Sequence, residues 1–330
     1  MNKIIQGDSL EILKTLESES IDCVITSPPY WALRDYGVEG QLGLEPTFQE
    51  YITKLCDIFD EVKRVLKKEG TCWVNLGDTY SSQSSYSENG RQGFEAKTDN
   101  MVKIMEKRFN HQADVDYGGK ARRGSKLGRG RGASVPEKSL CQIPSRFAIE
   151  MSNRGWILRN EIIWHKPNCM PSSATDRFTV DFEKVFFFVK SKKYYFEQIL
   201  EPNSEVSIQR AEYENRRENP SSIGSKSESY GMPARFVKLN PEGHNKRTVW
   251  TVNTKGYSEA HFATYPEKLI EPMILAGCPV GGVCMDIFMG AGTTAVVAKK
   301  NNRNYFGIEL NPEYIKIAET RITGITNPLF

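Results

Sequence analysis

Cys23 to Thr26 is a run of four strand-forming residues that passes directly into Ser27-Pro28-Pro29-Tyr30-Trp31. Two consecutive prolines carry no backbone N–H, so a hydrogen-bonded ladder stops at this point. The chain must end a strand here and leave it through a rigid turn. Ile21 to Ser27 as a whole is an apolar stretch of strand length, which reads as a central parallel strand covered on both faces.

The rest of the chain alternates in the same way. Residues 3–9 read as a short strand ending at Gly7-Asp8, with a helix after it from Ser9. Over residues 47–70, Tyr51, Leu55, Ile58, Phe59, Val62 and Leu66 recur at helical spacing and Gly70 reads as the stop. Residues 71–78 form the next strand. A helix is expected over 144–155 and strong strands over 156–166 and 184–190, with 191–198 pairing back as a hairpin. Residues 266–279 read as a helix. Residues 281–322 then read strand, glycine turn, helix, strand, turn, helix. Strands alternating with helices predict an α/β fold with a mostly parallel, doubly wound sheet of the Rossmann-like type.

Two stretches break this rhythm. From Ser81 the chain is polar and rich in Gly and Ser, and Gly118 to Ala133 holds six Lys/Arg and no Asp/Glu. The second polar stretch covers 201–246. No internal repeat is visible. The 330 residues suffice for one large domain with an accessory part, and 39% hydrophobic residues are ordinary for a soluble enzyme. No apolar run approaches the ~18 residues of a membrane span. Residues 1–14 lack the pattern of a secretory signal, so the chain reads as cytoplasmic with no membrane partner. The seven cysteines are scattered without a C-x-x-C pair and the four histidines lie far apart, so reduced thiols and no metal site are expected. A net charge of +3 does not point to nucleic acid, but its clustering does.

Asp286-Ile287-Phe288-Met289-Gly290-Ala291-Gly292-Thr293-Thr294 has the logic of a nucleotide-binding turn. Gly290 and Gly292 let the backbone turn tightly and approach a ligand. Glu309, at the end of the next strand, lies where a carboxylate hydrogen-bonds ribose hydroxyls. The third glycine of the dinucleotide fingerprint is missing, which disfavours NAD. Asp286 beside the turn suits a ligand with a positive group, such as S-adenosyl-L-methionine. At the other turn, the Ser27 hydroxyl and the Pro28 carbonyl can both accept from one exocyclic amino group, held rigidly by Pro28 and Pro29. Tyr30 offers a face on which a flat base can stack.

Ser27-Pro28-Pro29-Tyr30 together with Asp286 to Thr294 resembles the S-adenosylmethionine-dependent DNA amino-methyltransferases, which methylate N4 of cytosine or N6 of adenine. Proline motif first and glycine motif last resembles their circularly permuted β-class. The resemblance covers about 1–80, 136–200 and 250–330, and implies a discontinuous catalytic domain over those ranges. It implies a flexible basic insert at 81–135 and a candidate target-recognition region at 201–249. It assigns Ser27, Pro28, Pro29 and Tyr30 to catalysis. Asp286, Phe288, Gly290, Gly292, Thr293 and Thr294 match the loop for the cofactor's methionine part, Glu309 the ribose acid with Asn311 close by, and Asp8 a position near the adenine. His261, Phe262 and Thr264 lie in a segment similar to the one that closes over the cofactor's amino-acid end. "WHKPN", Trp164 to Asn168, resembles the segment near the target base.

Ser in the first position of the proline motif is more typical of cytosine-N4 members; N6-adenine is the alternative. The implied partners are S-adenosyl-L-methionine and double-stranded DNA, and the resemblance admits a cognate restriction endonuclease and a homodimer. Lys120, Arg122, Arg123, Lys126, Arg129 and Arg131, with Lys166, are the expected phosphate contacts. Arg210, Arg216, Arg217 and Arg235 are candidates in the recognition region. Rival readings are a methyltransferase acting on RNA or a protein amide, and a non-catalytic DNA-binding module on the same fold. Cytosine-C5 chemistry is disfavoured because no Pro-Cys pair occurs.

Overall fold

The buried strand expected before the prolines is β2 (Ile21–Thr26), whose residues are buried except for half-buried Asp22. The computed structural model describes residues 2–33, 38, 40–81, 135–209, 211, 239–254 and 265–325. The other strands are β1 (Lys3–Gln6), β3 (Leu66–Leu76), β4 (Ile157–His165), β5 (Phe182–Val189), β6 (Leu200–Glu201), β7 (His244–Asn245), β8 (Val249–Thr251), β9 (Val283–Asp286) and β10 (Asn304–Glu309). The helices are α1 (Ser9–Thr15), α2 (Phe48–Val65), α3 (Ile143–Asn153), α4 (Glu267–Gly277), α5 (Thr293–Lys300) and α6 (Pro312–Thr323). Eight strands form one sheet in the order β1-β10-β9-β2-β3-β5-β4-β8. Within it, only β5 runs antiparallel to its neighbours.

Helices cover both faces. Phe48, Tyr51, Leu55, Phe59 and Val62 form the buried stripe of α2 and join α1, α3 and β2 in one core. Within it, Phe147 of α3 meets Phe59 edge-on at 5.3 Å. On the opposite face, Trp73 of β3 stacks on Phe187 of β5 at 4.0 Å, beneath Leu269 and Ile270 of α4. The α6 helix packs on α5 through Ile322. All seven cysteines are free and six are buried. Among the described residues no helix is long and apolar enough to cross a membrane.

Three sequence expectations need correction. The helix over 47–70 stops at Val65, where Leu66 turns to extended backbone and opens β3. Helical spacing runs on in the sequence because the bulge that follows keeps Leu66 buried. Between Ile21↔Leu66 and Cys23↔Thr71, β3 advances five residues while β2 advances two. Gly70 serves that bulge, since a Cβ there would lie 2.7 Å from Leu66 and 2.9 Å from the Asp22 carbonyl. Residues 191–198 form no hairpin strand. Their backbone makes separate bonds instead, Tyr195 N–H to the Glu69 carbonyl and Glu197 N–H to the Ala276 carbonyl. Finally, β8 lies just past the second polar stretch, where no strand is expected, and adds a parallel edge strand to β4.

Candidate active site at the strand ends

Strands β2 and β9 are parallel neighbours, with Cys23 opposite Cys284 and Val24 opposite Met285. The proline turn and the glycine turn therefore leave the sheet side by side at its carboxyl edge, where open α/β sheets bind ligands. One bond joins them directly: the Thr26 hydroxyl donates to Asp286 Oδ1 at 2.7 Å, across 260 residues of sequence.

Asp286 organises the glycine turn from behind. Its Oδ1 also accepts from Phe288 N–H at 3.0 Å, and its Oδ2 accepts from Tyr265 Oη at 2.6 Å and Thr294 Oγ1 at 2.7 Å. The residue is 1% exposed, and burial pushes its carboxyl above the ordinary range against the pull of these donors. The expectation that Asp286 faces a ligand's positive group is thus corrected: four protein donors occupy it. Tyr265→Phe removes one of them and is expected to lower folding stability by about 1–2 kcal/mol, read from denaturant unfolding.

Gly292 adopts φ +79°, and a Cβ there would lie 2.7 Å from the Cβ of Ala318, so this glycine admits the close packing of α6. Thr293 and Thr294 are buried, the first accepting from Arg321 Nη1 at 3.1 Å. Gly292, Thr293 and Thr294 stand with Asp286 behind the turn. Gly290 differs. It has φ +50°, a Cβ there would meet no heavy atom nearer than the Phe288 carbonyl oxygen at 3.9 Å, and its N–H donates to Glu309 Oε2 at 2.7 Å. Glu309 Oε1 accepts from Asn311 N–H at 2.8 Å, and burial raises this carboxyl.

A cavity of about 480 Å³ opens in front of these groups. Asp8, Phe288, Gly290, Glu309 and Asn311 line it, together with Ser27 and Pro29 of the proline turn. Asp8 also caps α1, accepting from Glu11 N–H at 3.1 Å. Sequence reasoning missed Leu10, Ile58 and Tyr314, which add apolar wall. They carry no motif, only positions on helix faces. His261, Phe262 and Thr264 lie outside the described residues.

The proline turn is anchored by its neighbours. Tyr51 Oη donates to the Pro29 carbonyl at 2.9 Å. Trp31 is 2% exposed, meets Phe48 edge-on at 5.9 Å, and donates from Nε1 to the Glu45 carbonyl at 2.9 Å. Tyr30 lies against Gly77, where a Cβ would come within 2.5 Å of the ring. Its Oη donates to Glu183 Oε2 at 2.6 Å and lies 3.2 Å from Asn75 Oδ1. Burial, reinforced by the Glu183 carboxylate, holds the phenol well above its usual range and keeps it protonated. Ser27 Oγ donates to Asn75 Oδ1 at 3.4 Å. Asn75 and Glu183 were not singled out from sequence. Asn75 was detectable as one polar residue in an apolar strand end, whereas nothing local marked Glu183.

Lys166 is corrected from a phosphate contact to a structural partner. Its Nζ binds Glu183 Oε1 at 2.8 Å, its side chain is 16% exposed, and it sits over the Trp164 ring. The other expected DNA contacts, Lys120, Arg122, Arg123, Lys126, Arg129, Arg131, Arg210, Arg216, Arg217 and Arg235, lie outside the described residues. The chain on either side of both polar stretches is paired. Tyr80 bridges Leu140 antiparallel, and β6 pairs β7 through Leu200↔Asn245 and Glu201↔His244.

The arrangement matches known proteins. A family model described as DNA methylase matches residues 21–320. The Type II methyltransferase M.Cfr9I of Citrobacter freundii is 39% identical over 97% of this chain and 87% of its own length. M.SmaI of Serratia marcescens, also a Type II methyltransferase, is 38% identical over 97% and 90%. Among solved structures, the PvuII DNA methyltransferase (cytosine-N4-specific) aligns over 99% of this chain and 88% of its own with a TM-score of 0.59 at 19% identity. TTHA0409 of Thermus thermophilus, complexed with S-adenosyl-L-methionine, aligns over 98% and 93% with a TM-score of 0.55 at 19% identity. With a family match over most of its length and relatives this similar across nearly all of it, the chain belongs to the N6/N4 DNA methylase family.

Proposed function

We propose that this DNA methyltransferase transfers a methyl group from S-adenosyl-L-methionine to the exocyclic N4 of cytosine in duplex DNA. The observation that carries this reading is that Ser27 and Glu309 line one cavity, so an amino-group acceptor and a ribose acceptor share a site. The cavity fits the cofactor by size and chemistry: pockets for such ligands run from roughly 300 to 1,000 Å³ with apolar walls and a few fixed polar groups. Gly290 leaves backbone-close space, Phe288, Leu10 and Ile58 offer apolar surface to a purine, and Glu309 and Asp8 offer acceptors to hydroxyl and amino groups. When bound, S-adenosyl-L-methionine supplies a methyl group on a positively charged sulfur, which leaves as a neutral thioether.

The protein's own work is positioning and electrostatics. The target base must leave the duplex stack, at a cost of a few kcal/mol. Tyr30, held by Glu183 and Gly77, stacks on it. Ser27 Oγ and the Pro28 carbonyl accept the two amino hydrogens, which leaves the nitrogen lone pair directed into the cavity. Held this way, the nitrogen would present its lone pair to the methyl group that the bound cofactor would supply. The nitrogen then sheds one hydrogen as a proton, with Ser27 Oγ the first acceptor on its way to solvent.

Ser27 in the first motif position supports cytosine, and the shared fold with a cytosine-N4-specific enzyme agrees with it. N6-adenine is the second reading, since the same two acceptors suit its amino group and the family includes both. The test is to incubate purified protein with duplex DNA and methyl-labelled S-adenosyl-L-methionine, then digest the DNA to nucleosides. Label in N4-methylcytosine supports the reading, label in N6-methyladenine replaces the base, and unlabelled DNA overturns both. The basic insert 81–135 and the region 201–249 are the proposed phosphate-contact and target-recognition parts. The "Type II" names of M.Cfr9I and M.SmaI support a cognate restriction endonuclease as partner.

Glu309 gives a pH prediction. Its carboxylate must be ionised to accept from ribose hydroxyls, and burial raises its protonation above the ordinary glutamate range. Cofactor affinity is therefore expected to be full at neutral pH and to fall on acidification earlier than an ordinary glutamate would require. Glu309→Gln is expected to weaken binding about tenfold at neutral pH and to flatten this profile. Calorimetric titration at several pH values checks both.

A further inference from the structure

Glu183 lies at the start of β5, behind the proline turn. Its carboxylate meets three donors: Lys166 Nζ at 2.8 Å, Tyr30 Oη at 2.6 Å and Asn75 Nδ2 at 3.1 Å. Ion-pairing with Lys166 accounts for one oxygen. The other oxygen is shared by a residue of the proline motif and by the asparagine that touches Ser27.

The consequence is one of hydrogen-bond polarity. A carboxylate only accepts. The Asn75 amide must therefore turn its NH₂ toward Glu183 Oε2, and toward the Lys184 carbonyl at 3.3 Å. Its Oδ1 is then forced to face Ser27 Oγ, 3.4 Å away. A serine hydroxyl has one hydrogen to give. With that hydrogen directed at Asn75, or at the Tyr30 oxygen whose own hydrogen goes to Glu183, Ser27 presents lone pairs to the cavity it lines. A substrate atom meeting those lone pairs must carry hydrogen. An amino group satisfies this, and a keto oxygen in the same place is repelled.

We propose that Glu183 is a positioning residue that fixes Ser27 as a hydrogen-bond acceptor through Asn75, and so selects an amino-bearing base over a keto-bearing one. This rests on the methyltransferase reading above and deepens it. Glu183 does not touch the base. It sets the amide orientation one residue away and clamps Tyr30 through its hydroxyl. The neutral isostere Glu183→Gln can offer an NH₂ where the carboxylate accepted, which leaves the Lys184 carbonyl as the one acceptor still facing the Asn75 NH₂ and loosens the hold on Ser27's polarity.

The test is a double-mutant cycle with Ser27→Ala, using methyl-labelled S-adenosyl-L-methionine and duplex DNA. Glu183→Gln alone is expected to lower kcat about tenfold or more while the cofactor Kd and the Tm stay near wild type. In the Ser27→Ala background its cost should shrink, because the residue it positions is gone. Asn75→Leu breaks the same link one step on and should show the same non-additivity. Additive costs, an unchanged kcat, or parallel loss of kcat, cofactor affinity and Tm would each overturn the proposal. Failure of the wild-type protein to methylate any nucleoside would instead overturn the underlying reading.

Discussion

Ser27→Ala is expected to lower the turnover of methyl transfer by about 100-fold while leaving the cofactor dissociation constant within about twofold of wild type. The substitution removes one of two acceptors that hold the amino group, and that contact strengthens as the nitrogen gains positive charge. Ser27 lines the same cavity as Glu309 and Asp8 but is none of the groups assigned to the cofactor, so cofactor affinity is expected to hold. Within the protein it gives up the long hydrogen bond to Asn75 and one to the Tyr30 hydroxyl, which Glu183 still holds, so folding stability should change little. Single-turnover kinetics separate chemistry from binding, and calorimetry gives the cofactor affinity. Equal losses in both would remove Ser27 from the reaction and make it a wall of the cofactor site.

Gly77→Ala is expected to be nearly as damaging, by a different route. The added Cβ would lie 2.5 Å from Tyr30 Cε2 and 2.9 Å from Cδ2, so the ring must move. The far end of that ring is tied to Glu183, which leaves it no free path. A displacement of about 1 Å in a positioning group can cost about 100-fold in rate. Cofactor affinity is expected to hold, because neither Gly77 nor Tyr30 lines the cavity. Turnover measured beside cofactor binding checks this, and activity within about threefold of wild type would mean that the Tyr30 ring position is not critical.

Much of this site was legible in the sequence because its two turns carry hard covalent constraints. Pro28-Pro29 must end a strand, and the glycines mark the second strand end, so the α/β alternation put both at one edge of one sheet. Glu309 was visible as an acid at a strand end. What was not legible depends on tertiary contact. Asp286 looked available to a ligand until Thr26, Tyr265 and Thr294 converged on it. Lys166 looked like a surface cation until β5 brought Glu183 beside it. Gly70 looked like a helix stop because a bulge in a strand leaves the same one-letter mark. Glu183 itself precedes an apolar strand, and no local pattern tells that its carboxylate faces Tyr30.

The most direct measurement is modified-nucleoside analysis of DNA from cells expressing the protein, beside cells expressing Ser27→Ala. N4-methylcytosine present with the wild type and absent with the variant is the predicted result, and it ties reaction, base and pocket together. DNA without either N4-methylcytosine or N6-methyladenine, from cells whose expressed protein still binds S-adenosyl-L-methionine, would contradict the account and move its substrate outside DNA.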